Sequence, residues 1–190
     1  MKLMHLFSLQ HSKFAYRADL ILYGIMSVSL ATLLIIVGPQ NQWLNLLGFA
    51  LMGLVSWTLI EYVLHRFVLH GLRPFSAWHA EHHQHPAALI SSPTILSASL
   101  IAGLVFLPAL IMAGVWHAWA LTFGVLTGYF AYSITHHAIH HWRTNNIWLR
   151  QCKHWHALHH SPTRQLGHYG VTSAFWDHVF HTGYAAKNNS

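Results

Sequence analysis

The stretch Trp43-Leu-Asn-Leu-Leu-Gly-Phe-Ala-Leu-Met-Gly-Leu-Val-Ser-Trp-Thr-Leu-Ile60, continued by Glu61-Tyr-Val-Leu-His-Arg-Phe-Val-Leu-His70, decides how the chain is read. Its first part is uncharged and apolar over the length a helix needs to cross about 30 Å of hydrocarbon. Its second part brings two histidines to the end of that helix. Three more runs resemble the first part: Ile21 to Gly38, Leu89 to Trp116, and Ala118 to Thr135. Gly38-Pro-Gln-Asn-Gln42 turns the first pair, and Gly114-Val-Trp-His117 turns the second. Pro108 predicts a kink in the third run.

The composition agrees with four membrane spans. The chain is 54% hydrophobic and 7% charged, against about 25% charged in a soluble domain. The N-terminal basic residues and the run after them are read as a retained first helix, because the run exceeds a signal-peptide core and no small-x-small cleavage site follows. All ten Lys and Arg lie in the N-terminal tail, between the second and third runs, or after the fourth. Neither hairpin turn carries one. With four spans those regions share a side, which the positive-inside rule makes the cytoplasm. The net charge of +6 suits an anionic leaflet. It forms no stripe, which argues against nucleic-acid binding. Cys152 is the single cysteine, so neither an internal disulfide nor a cysteine-ligated iron–sulfur cluster is available.

Most of the 20 histidines gather in clusters at or after the ends of spans. They are His65 with His70; His79, His82 and His83; His136-His137 with His140-His141; and His156, His159 and His160. Helix positions i, i+3 and i+4 share a face. That face-sharing predicts convergence for His79, His82 and His83, for His136 and His140, and for His156, His159 and His160. His65 and His70 are five apart, so either they serve different ions or the span unwinds near its end. Ten neutral imidazoles exceed what one ion takes, and two ions with four or five nitrogens each is the natural count. The acidic residues are Asp19, Glu61, Glu81 and Asp177, too few for a carboxylate-rich di-iron site. Glu81 lies about 200° around the helix from His79. Glu81, Asp177 and His168 are candidates for orienting ligands from outside. His5, His11 and His117 read as interfacial. His85, His137, His141, His154, His178 and His181 read as structural or supporting.

On these residues the chain resembles the fatty acid hydroxylase / sterol desaturase superfamily of integral membrane di-metal enzymes. The resemblance runs from Glu61 to Tyr184. It is carried by Leu64-His-Arg-Phe-Val-Leu-His70, His79-Ala-Glu-His-His83, Gly128-Tyr-Phe-Ala-Tyr-Ser-Ile-Thr-His136 with His140, and Lys153-His-Trp-His-Ala-Leu-His-His160. The tail Gly167-His-Tyr-Gly-Val-Thr-Ser-Ala-Phe-Trp-Asp-His-Val-Phe-His-Thr182 is as distinctive. Within the superfamily the Tyr-x-x-Thr-His approach is most similar to the fatty acid 2-hydroxylase branch. Ser133 stands where that branch usually has Asp, and His168-Tyr169 where it usually has a single aromatic.

The resemblance implies an all-α, single-domain protein over 1–190, with four transmembrane helices and a cytosolic helical cap. It implies two metals, iron in the working enzyme with zinc as a substitute, held by His65, His70, His79, His82, His83, His136, His140, His156, His159 and His160. The reaction implied is O2-dependent hydroxylation of a membrane lipid, foremost C-2 of an acyl chain, with the metals rather than a side chain as oxidant. Sterol or carotenoid hydroxylation or desaturation is the alternative from the same site. Trp57, Tyr62, Phe130 and Tyr132 are either path-lining or packing residues. No Gly-rich dinucleotide fingerprint and no cytochrome-b5-like stretch is present, so electrons come from an external ferredoxin or cytochrome with its reductase. A membrane haem protein would want single histidines deep in the spans. A metal carrier would want ionisable residues along them. Neither pattern is seen.

Overall fold

The computed structural model describes residues 12–90, 92–161 and 167–183. Among them all regular structure is helical. His5 and His11 lie outside the described residues. The helices are α1 (Lys13–Ile36), α2 (Trp43–Val63), α3 (Phe75–Gln84), α4 (Thr94–Ile101), α5 (Leu107–Ala113), α6 (Val115–His141), α7 (Ile147–His159) and α8 (Phe175–Val179). Ser12 caps α1 by accepting from the Ala15 amide at 3.1 Å, and Asn146 caps α7 by accepting from the Leu149 amide at 3.0 Å.

Two π-helical segments interrupt the regular pattern. Leu64–Leu69 continues α2, and Ala102–Phe106 joins α4 to α5. The second lies just before Pro108, which lacks an amide donor, so the expected kink takes the form of a widened turn. Span three starts at Thr94 rather than Leu89. The second hairpin turns on Gly114 alone, whose φ of 83° is open to glycine. Among the described residues three helices are long and apolar enough to cross a membrane: Lys13–Ile36, Gln40–Leu69 and Thr94–Ala113. The fourth expected span falls on α6, 27 residues long, which is not among the three by composition. Thr122, Gly124, Thr127, Gly128 and Tyr129 dilute its apolar character. It also carries buried positions, with Ala118, Ala120, Val125 and Leu126 all sequestered.

The described chain forms two compact units. Of the described residues, the first holds those of 12–57 and 88–130. Here α2 and α6 meet backbone to backbone. A Cβ on Gly53 would lie 2.2 Å from the Leu121 carbonyl oxygen, and one on Gly124 would lie 2.0 Å from that of Ala50. Such small-residue contact is how helices pack where lipid removes the hydrophobic drive. Tyr129 sits edge-on to Tyr23 and to Trp57, and the Tyr23 hydroxyl reaches Ser97 at 2.5 Å. The unit's outer surface is apolar: Ile111 is 83% and Met112 86% exposed. That inverts the pattern of a water-soluble surface.

The second unit holds 58–87 and 131–190. Its small apolar core is Ala138, Ile139, Leu149, Cys152 and Val171, with Tyr132 against it. Cys152 is therefore a core residue. Burial pushes its thiol up to about 11, which keeps it protonated and unreactive.

Candidate metal centre

All ten expected ligands lie in the second unit, and nine of them form two groups. His65, His70, His79, His83 and His159 offer nitrogens within 4.8 Å of one another. His82, His136, His140 and His156 form the other group by the same measure. The helices deal their histidines between the groups. In α3, His79 and His83 are one turn apart and go to the first group, while His82 goes to the second. In α7, His159 goes to the first and His156 to the second. Shared-face spacing predicts one convergence per cluster. The roughly 100° between neighbouring residues splits them instead.

The π-turn resolves the five-residue spacing of His65 and His70. The span does not break; it unwinds locally into a wider turn near its end, as one of the two expected alternatives had it. The His70 amide donates to the His65 carbonyl at 3.2 Å, an i→i+5 bond. Residues five apart then stack as residues four apart do in an α-helix. The two rings lie 5.3 Å apart and serve one group.

His160 belongs to neither group by distance. Its ring stacks on His83 at 4.1 Å and approaches His156 at 4.5 Å and His82 at 4.9 Å. Both of its ring nitrogens are buried without a hydrogen-bond partner among the described residues.

The protonation pattern suits cation binding. The Nδ1 atoms of His65 and His159 donate to the carbonyls of Tyr169 and Gly167, at 2.5 and 2.7 Å. Each Nε2 is then a bare lone pair. These lone pairs point at other imidazoles: His65 Nε2 lies 2.9 Å from His79 Nε2, and His159 Nε2 lies 3.0 Å from His70 Nε2. In the second group His140 and His156 meet at 2.9 Å, and His136 and His82 at 3.2 Å. Nitrogens about 2.0–2.1 Å from a shared ion lie about 3 Å apart, so the donor set fits metal ions.

Burial, reinforced by neighbouring imidazoles, keeps the rings neutral. It lowers His70 to about 4, His82 and His159 to about 3, and His160 to about 2. His79 and His156 are lowered further for the same reasons. Deprotonated imidazole is what a metal requires.

The surrounding contacts differ from those expected. Asp177 is 1% exposed. It accepts from the Tyr169 and Gly170 amides, each at 2.8 Å, and from the Thr182 hydroxyl at 2.7 Å. Glu81 is exposed, on the side of α3 away from the ligands. The buried carboxylate that sequence reasoning missed is Glu61. It accepts from the Val171 and Thr172 amides at 2.7 and 2.9 Å and from the Thr172 hydroxyl at 2.7 Å. An ionisable residue at the end of an apolar run, one turn before the first ligand, was the signal. His168 is buried at φ 54°. Its flanking residues supply the two carbonyls that hold His65 and His159. Tyr62 bonds Thr182 at 3.0 Å and stacks on Phe180, and Trp57 packs on Tyr129, so both are packing residues. His137 stacks on His141 at 4.5 Å. His85, His141, His154, His178 and His181 are exposed. His117 reaches the Ala113 carbonyl at 2.7 Å.

Helices long and apolar enough to cross a membrane, leading into two sets of converging, neutral imidazoles, define the class: a membrane-type helical chain with a histidine-rich candidate metal centre. The particular family follows from comparison. A fatty acid hydroxylase family model matches residues 50–182, and the chain belongs to that family. It is 36% identical over 141 residues to the dihydroceramide fatty acyl 2-hydroxylase FAH2 of Arabidopsis thaliana, covering 68% of this chain and 58% of that one. It is 33% identical over 158 residues to the ceramide very long chain fatty acid hydroxylase scs7 of Schizosaccharomyces pombe, covering 70% and 42%. The chain thus spans only part of these relatives. A solved structure of full-length scs7p, in which only the hydroxylase domain is visible, superposes with a TM-score of 0.71 at 25% identity. It covers 93% of this chain and 69% of that one.

Proposed function

We propose that this chain is an O2-dependent lipid hydroxylase with two metal ions, iron in the working enzyme. The observation that carries the reading is the pair of buried imidazole groups with their lone pairs turned inward. His65, His70, His79, His83 and His159 would hold one ion. His82, His136, His140 and His156 would hold the other, joined by His160, whose two nitrogens lack a protein partner. Bound iron supplies the O2 activation and oxidising power that an unactivated C–H bond demands and no side chain offers. The chain itself holds the imidazoles neutral and fixes the orientation of His65 and His159 through backbone carbonyls. Zinc in this donor set would be redox-silent.

The whole chain, 1–190, serves as one membrane-embedded hydroxylase-like domain. Its four spans are α1, α2 with its π-turn, α4 through α5, and α6. The chain ends and the helical cap bearing the histidines face the cytoplasm, a reading supported by the confinement of all ten Lys and Arg outside the hairpin turns. The substrate is a membrane lipid acyl chain, free or in a ceramide, hydroxylated at C-2. Its similarity to a dihydroceramide fatty acyl 2-hydroxylase and to a ceramide fatty acid hydroxylase supports that choice. A ferredoxin or cytochrome-b5-like protein with its reductase supplies electrons.

The test is lipid analysis of cells that express the chain with a cytochrome b5 and reductase, beside a His82→Ala, His159→Ala variant. A rise in 2-hydroxy acids with the wild type alone supports the reading. Two ions per chain without an acyl product would move the substrate to sterols or carotenoids. Purified protein that takes up no metal would refute the centre.

A further inference from the structure

The two imidazole groups are not supported alike. In the five-histidine group, His65 and His159 each donate Nδ1 to a carbonyl of one short segment, Gly167 to Thr172. In the four-histidine group, the Nδ1 atoms of His82 and His156 are buried with no hydrogen-bond partner among the described residues. The segment that orients the first group is itself gripped from two sides. Glu61, on α2, takes the amides of Val171 and Thr172 and the Thr172 hydroxyl. Asp177, on α8, takes the amides of Tyr169 and Gly170. Four consecutive amides, 169 to 172, therefore end on two buried carboxylates. A Cβ on Gly170 would lie 1.9 Å from the Ser173 carbonyl oxygen and 3.0 Å from Asp177 Oδ2, so the grip tolerates no side chain there.

We propose that Glu61 and Asp177 are positioning residues that, through the segment 167–172, make the five-histidine group the tighter of the two metal sites. The inference rests on the two-metal reading above. A ligand whose other ring nitrogen is held by a fixed acceptor keeps its tautomer and ring orientation, and losing such support costs about 10–100-fold in metal affinity. Orientation of His65 and His159 is built in before metal arrives. Orientation of His82 and His156 is not built in by any Nδ1 hydrogen bond among the described residues.

Cobalt(II) titration, read by its ligand-field absorption, tests this in two backgrounds. His136→Ala, His140→Ala leaves the five-histidine group; His70→Ala, His83→Ala leaves the other. The five-histidine background should bind more tightly. Adding Glu61→Gln or Asp177→Asn to it should weaken binding about 10–100-fold. The same substitutions in the other background should change affinity less than about threefold, well below that range. Circular dichroism and size exclusion report folding. If the carboxylate variants fail to fold, Thr172→Val, which removes one bond to Glu61 and keeps both amide bonds, should weaken only the five-histidine group. Equal affinity in the two backgrounds, or equal weakening of both by the clamp variants, would overturn the inference and leave two-metal binding intact. A wild-type chain that takes up no cobalt would overturn the two-metal reading and this inference with it.

Discussion

Gly124→Ala tests whether close contact between α2 and α6 holds the first unit together. The added Cβ would lie 2.0 Å from Ala50 O, 2.7 Å from Leu54 N and 2.9 Å from Ala50 C. Ordinary contact begins at 3.4 Å, so α2 and α6 must part locally by about 1.4 Å to clear the nearest atom. The obstacles are backbone, so no side-chain rotation relieves them. Overpacking of this kind costs about 1–3 kcal/mol, and the upper end applies where backbone blocks the way. Alanine's better helix propensity returns about 1 kcal/mol, which leaves a net loss of about 2 kcal/mol. For a chain of this size that lowers Tm by about 4–8 °C. Gly48→Ala, on the same helix α2, is the control. Nothing lies within 4 Å of its Cβ, so propensity alone acts and Tm should rise by about 2–4 °C. Thermal unfolding of both variants in one detergent is the assay. A Gly124→Ala chain as stable as Gly48→Ala would refute the packing argument.

Two further predictions follow from protonation and burial. In chelator-treated protein the unfolded chain binds protons at its histidines near pH 6.5, while His70, His82 and His159 in the fold resist protonation down to about 4, 3 and 3. The unfolded state therefore holds more protons, so stability is complete above about pH 6.5 and falls as pH drops toward 4. A melting temperature that stays flat from pH 7.5 to 5 would contradict this. Cys152, buried and with its thiol pushed up to about 11, should resist iodoacetamide at pH 8 until the protein is denatured. Alkylation of native protein on the timescale of free cysteine would show that the α6–α7 core opens.

Much of the site was legible because histidines at helical spacing encode it directly. His136 with His140, and His79 with His83, pair as their four-residue separations require. The pairing of His65 with His70 was not legible, because an α-helical ruler puts them on different faces, and only the π-turn brings them together. The division of His82 from His79 and His83 was equally hidden. One residue of rotation decides which group a ring joins, and sequence spacing does not say where each group's centre lies. His160 shows the opposite limit: its spacing names it a ligand, yet by distance it stands beside both groups and within neither. Hydropathy marked α1, α2 and the α4–α5 helix clearly. It marked α6 less clearly, because a helix packed through Gly124 and buried along Val125 and Leu126 need not be uniformly apolar.

The way α3 and α7 divide their rings explains why the outer contacts fall where they do. Each of these helices carries imidazoles of both groups, so rotating either to improve one group spoils the other. Four helical segments meet at the two groups: the α2 π-turn, α3, the end of α6, and α7. Only the α2 and α6 segments serve a single group each. Rotation of the shared helices is therefore fixed by two sets of rings at once. Fine adjustment of a single group must come from something that touches that group's rings alone. The segment 167–172 meets that requirement, because its carbonyls reach His65 and His159 and no ring of the four-histidine group. Glu61 and Asp177 are placed to hold that segment without touching a ligand ring themselves. Two buried carboxylates in a chain with four acidic residues are thus committed to backbone amides. The imidazoles, neutral and directional, are left to converge on one another.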